Sequence, residues 1–185
     1  QMLEYIAIKV LGTTKTKIGD KEIDFKAPFK RVTMLDSIQE HTGIDISGMN
    51  EAQLRDVCKK LNIEIDDTMG KGKLIDEIFG EKCEGNYIQP TFIIDFHIDM
   101  SQLTNKQSIN PLLNERFELM VNGKEICNAY SELNDPIDQL ERFEDQLKLS
   151  EKGDDEAMFI DYDFVRALEY GMPPTSGLGI GMDRL

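Results

Sequence analysis

The sequence contains no apolar run long enough to cross a membrane, and its amino terminus lacks the charged-then-apolar pattern of a signal peptide. We therefore expect a soluble, cytoplasmic protein without a membrane partner. Cysteine is scarce, because only Cys58, Cys83 and Cys127 are present and they form no paired zinc or redox motif. We interpret them as the reduced thiols of a cytosolic protein. The two histidines, His41 and His97, are isolated, which favours surface or packing roles over metal binding.

Basic residues are also in short supply, since 21 Lys and Arg stand against 35 Asp and Glu, a net charge of −14. Much of the acidic excess lies between residues 134 and 163. Such a surface argues against broad binding to a nucleic-acid backbone by this chain alone. With 185 residues, 40% of them hydrophobic, the chain can bury one good core and carry a smaller subdomain.

Two amphipathic helices are predicted in the stretch from residue 43 to 86. One covers Glu51 to Leu61 and the other Lys73 to Cys83, each with its apolar residues on one side. Polar connections around them indicate a helical insertion carried by a sheet-based core. A tRNA-facing or lid element and a peripheral packing module are both compatible with this pattern.

The stretch RFELMVNGKEICNAYSE, from Arg116 to Glu132, predicts two strands joined by a tight turn at Asn122-Gly123. Regular pairing around that turn places Met120 opposite Glu125 and Glu118 opposite Cys127. Glu118, Met120, Glu125 and Cys127 would then share one face of the sheet. Two neighbouring glutamates repel each other unless a cation lies between them, and Mg²⁺ binds through one or two carboxylates. A solvated face with two unrelated glutamates remains the alternative.

The end of the sequence, TSGLGIGMDRL, alternates Gly177, Gly179 and Gly181 with apolar residues. In a strand, this alternation packs one side on the core and leaves the other as bare backbone that a ligand can approach closely. Arg184 follows in the first turn of a predicted helix, where its planar guanidinium suits phosphate oxygens or a base. The spacing is neither that of a dinucleotide-binding strand nor that of a P-loop.

These segments together resemble the carboxy-terminal part of the catalytic domain of class II lysyl-tRNA synthetases. The run from Gly177 to Arg184 is similar to motif 3 of class II synthetases. RFELMVNGKEICNAYSELNDP, from Arg116 to Pro136, resembles the lysine-specific block between motifs 2 and 3. GDDEAMFIDYDFVRALEYGMPPT, from Gly153, is similar to the same family. The resemblance covers essentially the whole chain.

The resemblance implies a role for each matching residue. Glu118 and Glu125 match the two glutamates that hold Mg²⁺ on the phosphates of ATP. Arg184 matches the catalytic arginine that contacts ATP. The positions that match the lysine pocket are Asn128, Tyr130, Glu132 and Gly179, with Glu132 facing the ε-ammonium group. A buried carboxylate without a cation is penalised, so Glu132 would reject uncharged amino acids of similar size.

The implied fold is α+β, an antiparallel sheet of the class II synthetase type flanked by helices, with a small helical insertion. We expect catalytic-domain segments at 1–42 and 87–185 and the insertion at 43–86. The implied reaction activates lysine with ATP to lysyl-adenylate and transfers the lysyl group to tRNA(Lys), in a protein that forms a homodimer. No anticodon-binding barrel and no motif 1 or motif 2 can be found, so the chain is expected to be a fragment that is inactive by itself.

Two alternatives remain open. A paralogue that lysylates a protein, the elongation factor P–lysine ligase, resembles this region as well. A non-catalytic module that binds an amino acid for regulation is the other. Intact Glu118, Glu125 and Arg184 argue against that module, since a sensor has no use for an ATP–metal site.

Regular alternation along the second strand creates a conflict with these roles. It places Glu125 and Asn128 on opposite faces of the sheet, although ATP and lysine must react on the same face. We therefore predict a β-bulge near Ile126-Cys127, where an extra residue switches the facing of the side chains.

Overall fold

A computed structural model of the protein describes residues 1–150 and 160–185. The first residues of the block that begins at Gly153 lie outside the described residues. The helices are α1 (Met2–Leu11), α2 (Met34–Thr42), α3 (Glu51–Lys60), α4 (Lys71–Lys82), α5 (Pro136–Ser150) and α6 (Tyr162–Glu169). The strands are β1 (Lys15–Ile18), β2 (Lys21–Asp24), β3 (Lys30–Thr33), β4 (Thr91–Ile94), β5 (Arg116–Val121), β6 (Lys124–Ser131) and β7 (Ser176–Ile180). Short 3₁₀ turns occupy Glu84–Asn86 and Ile98–Met100.

The hairpin predicted at Asn122-Gly123 forms the centre of the main sheet. Both turn residues have positive φ, 53° at Asn122 and 71° at Gly123, as a two-residue hairpin turn requires. Five strands pair in the order β3-β4-β5-β6-β7. All neighbours are antiparallel except β3 and β4, which are parallel. Strands β1 and β2 form a separate hairpin. The mixed α+β fold with a mainly antiparallel sheet is therefore confirmed.

The register of the hairpin confirms the bulge and corrects the predicted facing of Cys127. Met120 pairs with Glu125, but Leu119 pairs with Cys127, so Ile126 has no partner on β5. Glu118 consequently pairs with Asn128, and the prediction that it faces Cys127 is wrong. The extra residue shifts the register by one, so Cys127 lies on the opposite face from Glu118.

Each face of the main sheet is covered by a different apolar cluster. Helices α2, α3 and α4 pack with Val32, Ile93 and Met120 on one face. On the other face, α1 and β2 pack against Leu119, Val121, Ile126 and Cys127 through Leu3 and Ile23. Helices α3 and α4 thus share a core with the sheet. The division into 1–42, 43–86 and 87–185 stays a prediction.

Local chemistry explains where several elements begin and end. The side chain of Thr33 accepts a hydrogen bond from the backbone N–H of Asp36 and caps α2, and Asp161 caps α6 in the same way. Strand β4 is shorter than its apolar run because Asp95 has a positive φ of 60°, which ends the extended conformation. Among the described helices, none is both long and apolar enough to cross a membrane.

Candidate active site

The unpaired Ile126 brings the polar residues of the hairpin onto one face of the sheet. Residues that pair across antiparallel strands point to the same side. The pairs that matter here are Glu118 with Asn128, Met120 with Glu125 and Arg116 with Tyr130. Since Arg116, Glu118 and Met120 alternate along β5, all six side chains lie on one side. Four of the residues predicted for the site, Glu118, Glu125, Asn128 and Tyr130, are therefore together.

Glu118 is the carboxylate of this face whose pKa is shifted most. Its side chain is only 13% exposed, and burial raises its pKa to about 7. The charges of Glu125 and Asp76 raise the pKa further, whereas the guanidinium of Arg116, 2.5 Å away, lowers it. The cost of burying the ionised Glu118 carboxylate is larger than the stabilisation from its ion pair with Arg116. The negative charge of Glu118 is therefore only partly offset at neutral pH. A cation beside it would be stabilised.

Further acidic groups surround Glu118 and Glu125. Burial raises the pKa of Glu84, and the charge of Glu125 contributes in the same direction, while Arg184 opposes it. Asp76 reaches this group from α4 and also raises the pKa of Glu118. Within residues 1–150 and 160–185, no three His, Cys, Asp or Glu side chains are arranged as a metal cage. The acidic face therefore offers the carboxylates of Glu118 and Glu125 to a cation, and the nearby negative charges of Glu84 and Asp76 would also attract it.

Arg184 lies beside the turn end of the hairpin. Its Nη1 donates a hydrogen bond to the backbone oxygen of Glu125 at 2.9 Å. The residue follows β7, and the backbone N–H of Gly181 donates to the oxygen of Ile126. The chain after the glycine strand is thereby held beside the bulge. The arginine predicted to contact ATP is thus adjacent to one of the two glutamates predicted to hold the metal.

Strand β7 presents a bare backbone surface, formed by Gly177 and Gly179, next to Asn128 and Tyr130. Gly179 pairs with Asn128, and Gly177 pairs with Tyr130, so both glycines turn their bare side toward the polar face. At Gly179, an added Cβ would find only the backbone oxygen of Asn128, 3.9 Å away. The predicted close approach of a ligand to this strand is sterically possible.

Glu132 lies at the end of this glycine surface that is farther from the hairpin turn. Its backbone N–H donates to the oxygen of Thr175 at 2.9 Å, and it forms an isolated bridge with Thr104. Its carboxylate occupies the space that a Cβ at Gly177 would take. Six of the seven predicted site residues therefore lie along one face, from Glu125 at one end to Glu132 at the other. The seventh, Arg184, is bonded to the backbone of Glu125.

Arg116 is a residue of the site for which the sequence analysis assigned no role. Its Nε donates to the amide oxygen of Asn128 at 3.1 Å, and its Nη2 bonds Glu118. Its Nη1 donates to the backbone oxygen of Met100 at 3.1 Å. The guanidinium also stacks on the ring of Phe96, 4.6 Å from the ring centre. The only sequence signal was its position two residues before Glu118 on one strand face.

A cavity of about 740 Å³ opens beside this face. Its wall includes Arg116 and Asp76, together with Ser101 from the segment after the 3₁₀ turn and Arg142 from α5. Arg142 donates to the backbone oxygens of Ser101 and Thr104 and binds Asp138. The cavity gives small solutes access to the guanidinium of Arg116.

Comparison with known proteins gives a consistent family assignment. The family described as "tRNA synthetases class II (D, K and N)" matches residues 1–185. Over its full length, the chain is 76% identical to the lysine–tRNA ligase of Porphyromonas gingivalis, of which it covers 32%. It is 69% identical to the lysine–tRNA ligase of Azobacteroides pseudotrichonymphae, covering 37%, and 68% identical to that of Christiangramia forsetii, covering 32%. The chain thus spans about a third of the length of these relatives.

Proposed function

Because the chain belongs to the class II tRNA synthetases of the D, K and N group, we propose that it is part of a lysine–tRNA ligase in which Glu132 selects lysine. The observation that carries the proposal is the bulge at Ile126. It places Glu118, Glu125 and Asn128 on one face, so that an ATP site and an amino-acid site can meet there. The identities of 68–76% to lysine–tRNA ligases agree with this assignment.

The amino-acid site would extend over the glycine strand. Asn128 and Tyr130 offer polar groups above Gly179 and Gly177, and Glu132 provides the negative charge for the ε-ammonium group of lysine. An aspartate or asparagine side chain would leave the Glu132 carboxylate without a cation. This penalty is the basis of selection among the amino acids of the family.

The ATP site would lie at the opposite end of the same face. Glu118 and Glu125 are oxygen donors of the kind that Mg²⁺ prefers, and the raised pKa of Glu118 indicates a position where a cation relieves repulsion. Bound there, Mg²⁺ would neutralise charge on the phosphates of ATP. Arg184, fixed by its bond to the backbone of Glu125, would add its own positive charge beside the phosphates.

Positioning and charge neutralisation suffice for the proposed reaction. The carboxylate of lysine attacks the α-phosphate of ATP, forming lysyl-adenylate and releasing pyrophosphate. A hydroxyl of the terminal ribose of tRNA(Lys) then attacks the lysyl carbonyl, and AMP leaves as the acyl–phosphate bond breaks. The residues of this chain orient the two substrates on one face and require no covalent intermediate with the protein. The full-length protein would act in the cytoplasm as a homodimer.

Amino-acid-dependent exchange of pyrophosphate into ATP by the full-length protein tests the proposal. We expect exchange with lysine and none with aspartate or asparagine. Exchange that prefers either of the latter would refute the lysine assignment. Transfer of labelled lysine to tRNA(Lys), compared with transfer to elongation factor P, then distinguishes the ligase from the protein-modifying paralogue. Lysine binding without any exchange would instead support a regulatory module.

A further inference from the structure

Arg116 connects the two halves of the proposed site through one rigid group. Its guanidinium bonds Glu118 on one side and the amide oxygen of Asn128 on another. Its side chain is 17% exposed, so these bonds are shielded from solvent. Glu118 is a proposed metal ligand and Asn128 a proposed lysine ligand. A planar fork that binds both at once fixes one relative to the other.

The bond to Asn128 also fixes the orientation of that amide. Arginine has donors only, so the atom of Asn128 that faces it must be the oxygen. The NH₂ group of Asn128 is then left to donate to a ligand. Without Arg116, the amide could rotate and present its oxygen instead. The orientation of Asn128 therefore depends on a residue that need not touch the substrate.

The guanidinium is itself anchored from outside the hairpin. The backbone oxygen of Met100 accepts from its Nη1, and the ring of Phe96 supports its face. The 3₁₀ turn that carries Met100 packs against the first turn of α4, where a Cβ at Gly72 would clash with the backbone oxygen of Asp99. Arg116 is thus held by the chain segment on which α4 packs.

We propose that Arg116 is a positioning residue that sets the geometry between the phosphate end and the amino-acid end of the site. This inference rests on the proposed function. Lysine cannot replace it, because a single ammonium group lacks the planar fork that reaches Glu118 and Asn128 together. Misplacement of a reacting group by about 1 Å costs about 100-fold in rate, so the effect should appear mainly in kcat.

The test is pyrophosphate exchange by the full-length protein with Arg116→Lys and Arg116→Ala. We expect kcat to fall at least about 10-fold in Arg116→Lys, with a smaller change in KM for ATP. Added guanidinium ion should restore part of the kcat of Arg116→Ala, since the cavity of about 740 Å³ reaches this position. The matched control is Arg142→Ala, because Arg142 is similarly buried and anchors the neighbouring segment without a bond to Glu118 or Asn128.

The outcomes separate this inference from the proposed function. Guanidinium rescue of Arg116→Ala, without rescue of Arg142→Ala, supports it. Unchanged kcat in Arg116→Lys overturns it. A loss that guanidinium does not reverse, accompanied by the same fall in thermal stability as Arg142→Ala, shows a structural role and also overturns it. If the wild-type protein shows no lysine-dependent exchange, the proposed function fails first and this inference fails with it.

Discussion

The carboxylate of Glu132 lies over Gly177, in the space where any other residue would carry its Cβ. The two residues come from β7 and from the segment after β6, and they are held together by the hydrogen bond from the Glu132 backbone to Thr175. An alanine at 177 would therefore displace the Glu132 carboxylate by steric contact, and not because of an unusual backbone angle. The position of the proposed lysine-selecting carboxylate depends on Gly177.

We expect Gly177→Ala to impair lysine binding selectively. The added methyl group would push the Glu132 carboxylate away, since the Oε1 atom of Glu132 would overlap the Cβ atom. KM for lysine in the full-length protein should rise by about 10-fold or more, while KM for ATP changes little.

Gly179→Ala is the matched comparison for this substitution. Its nearest internal neighbour is the oxygen of Asn128 at 3.9 Å, so the protein itself need not rearrange. Its thermal midpoint should equal that of the wild type, and any loss of lysine affinity must then come from the methyl group meeting the ligand. A wild-type KM for lysine in Gly177→Ala would show that Glu132 is not placed by this contact.

Because the pKa of Glu118 is raised in the folded protein, we predict that the folded protein becomes less stable as the pH rises. Its ordinary pKa is 4.5 and its pKa in the folded protein is about 7. Protonated Glu118 contributes favourably to the free energy of unfolding. This contribution is fully present below about pH 4.5 and is lost as the pH rises through about 7. The cost of ionising Glu118 in the folded state is roughly 3 kcal/mol.

Glu118→Gln should remove this dependence on pH. Measured by thermal unfolding with a chelator present, the variant should gain stability over the wild type at about pH 8 and gain little at about pH 4.5. Adding Mg²⁺ and ATP should reduce the advantage of the variant at the higher pH. The same difference between variant and wild type at both pH values would contradict the assignment of a raised pKa.

The turn at Gly123 predicts a purely structural effect. Gly123 has a φ of 71°, and its Cβ position lies 3.2 Å from Cα of Gly85. Gly123→Ala should therefore destabilise the protein by about 1–3 kcal/mol. Gly80→Ala is the control, because Gly80 lies exposed in α4 with nothing within 4 Å, and there the change should stabilise by roughly 0.5–1 kcal/mol. Chemical unfolding of both variants measures the difference, and two effects of the same sign would refute this account.

Local signals in the sequence predicted much of the fold. The Asn122-Gly123 turn follows from two residues adjacent in the chain. The bulge at Ile126 was predicted because the roles implied for Glu125 and Asn128 require both side chains on one face. Simple alternation failed at Cys127, because a bulge changes the face of every residue beyond it.

The contacts of Arg116 could not be predicted in this way. Its partner Met100 is 16 residues away in sequence, and Asp76, which acts on Glu118, precedes Glu118 by 42 residues. Neither separation follows a helical or strand period, so only the tertiary structure brings these groups together. The environment that raises the pKa of Glu118 was unpredictable for the same reason.

The 185-residue chain by itself should not catalyse lysine-dependent pyrophosphate exchange. It spans about a third of the length of the relatives it matches, and motif 2 of the class II synthetases was not found in it. Exchange measured with the isolated chain and with the full-length protein, at equal concentration, checks this. Measurable lysine-dependent exchange by the isolated chain would contradict the expectation.

Calorimetric titration of the full-length protein with lysine, before and after Glu132→Gln, measures whether Glu132 selects lysine. Glu115→Gln serves as the control, since Glu115 is an exposed glutamate next to the same sheet. The account predicts selective binding of lysine by the wild type and by Glu115→Gln. In Glu132→Gln we expect an affinity at least about 30-fold lower, because the ε-ammonium group loses its negatively charged partner. Equal lysine affinity in all three proteins would contradict the account, as would a preference of the wild type for another amino acid.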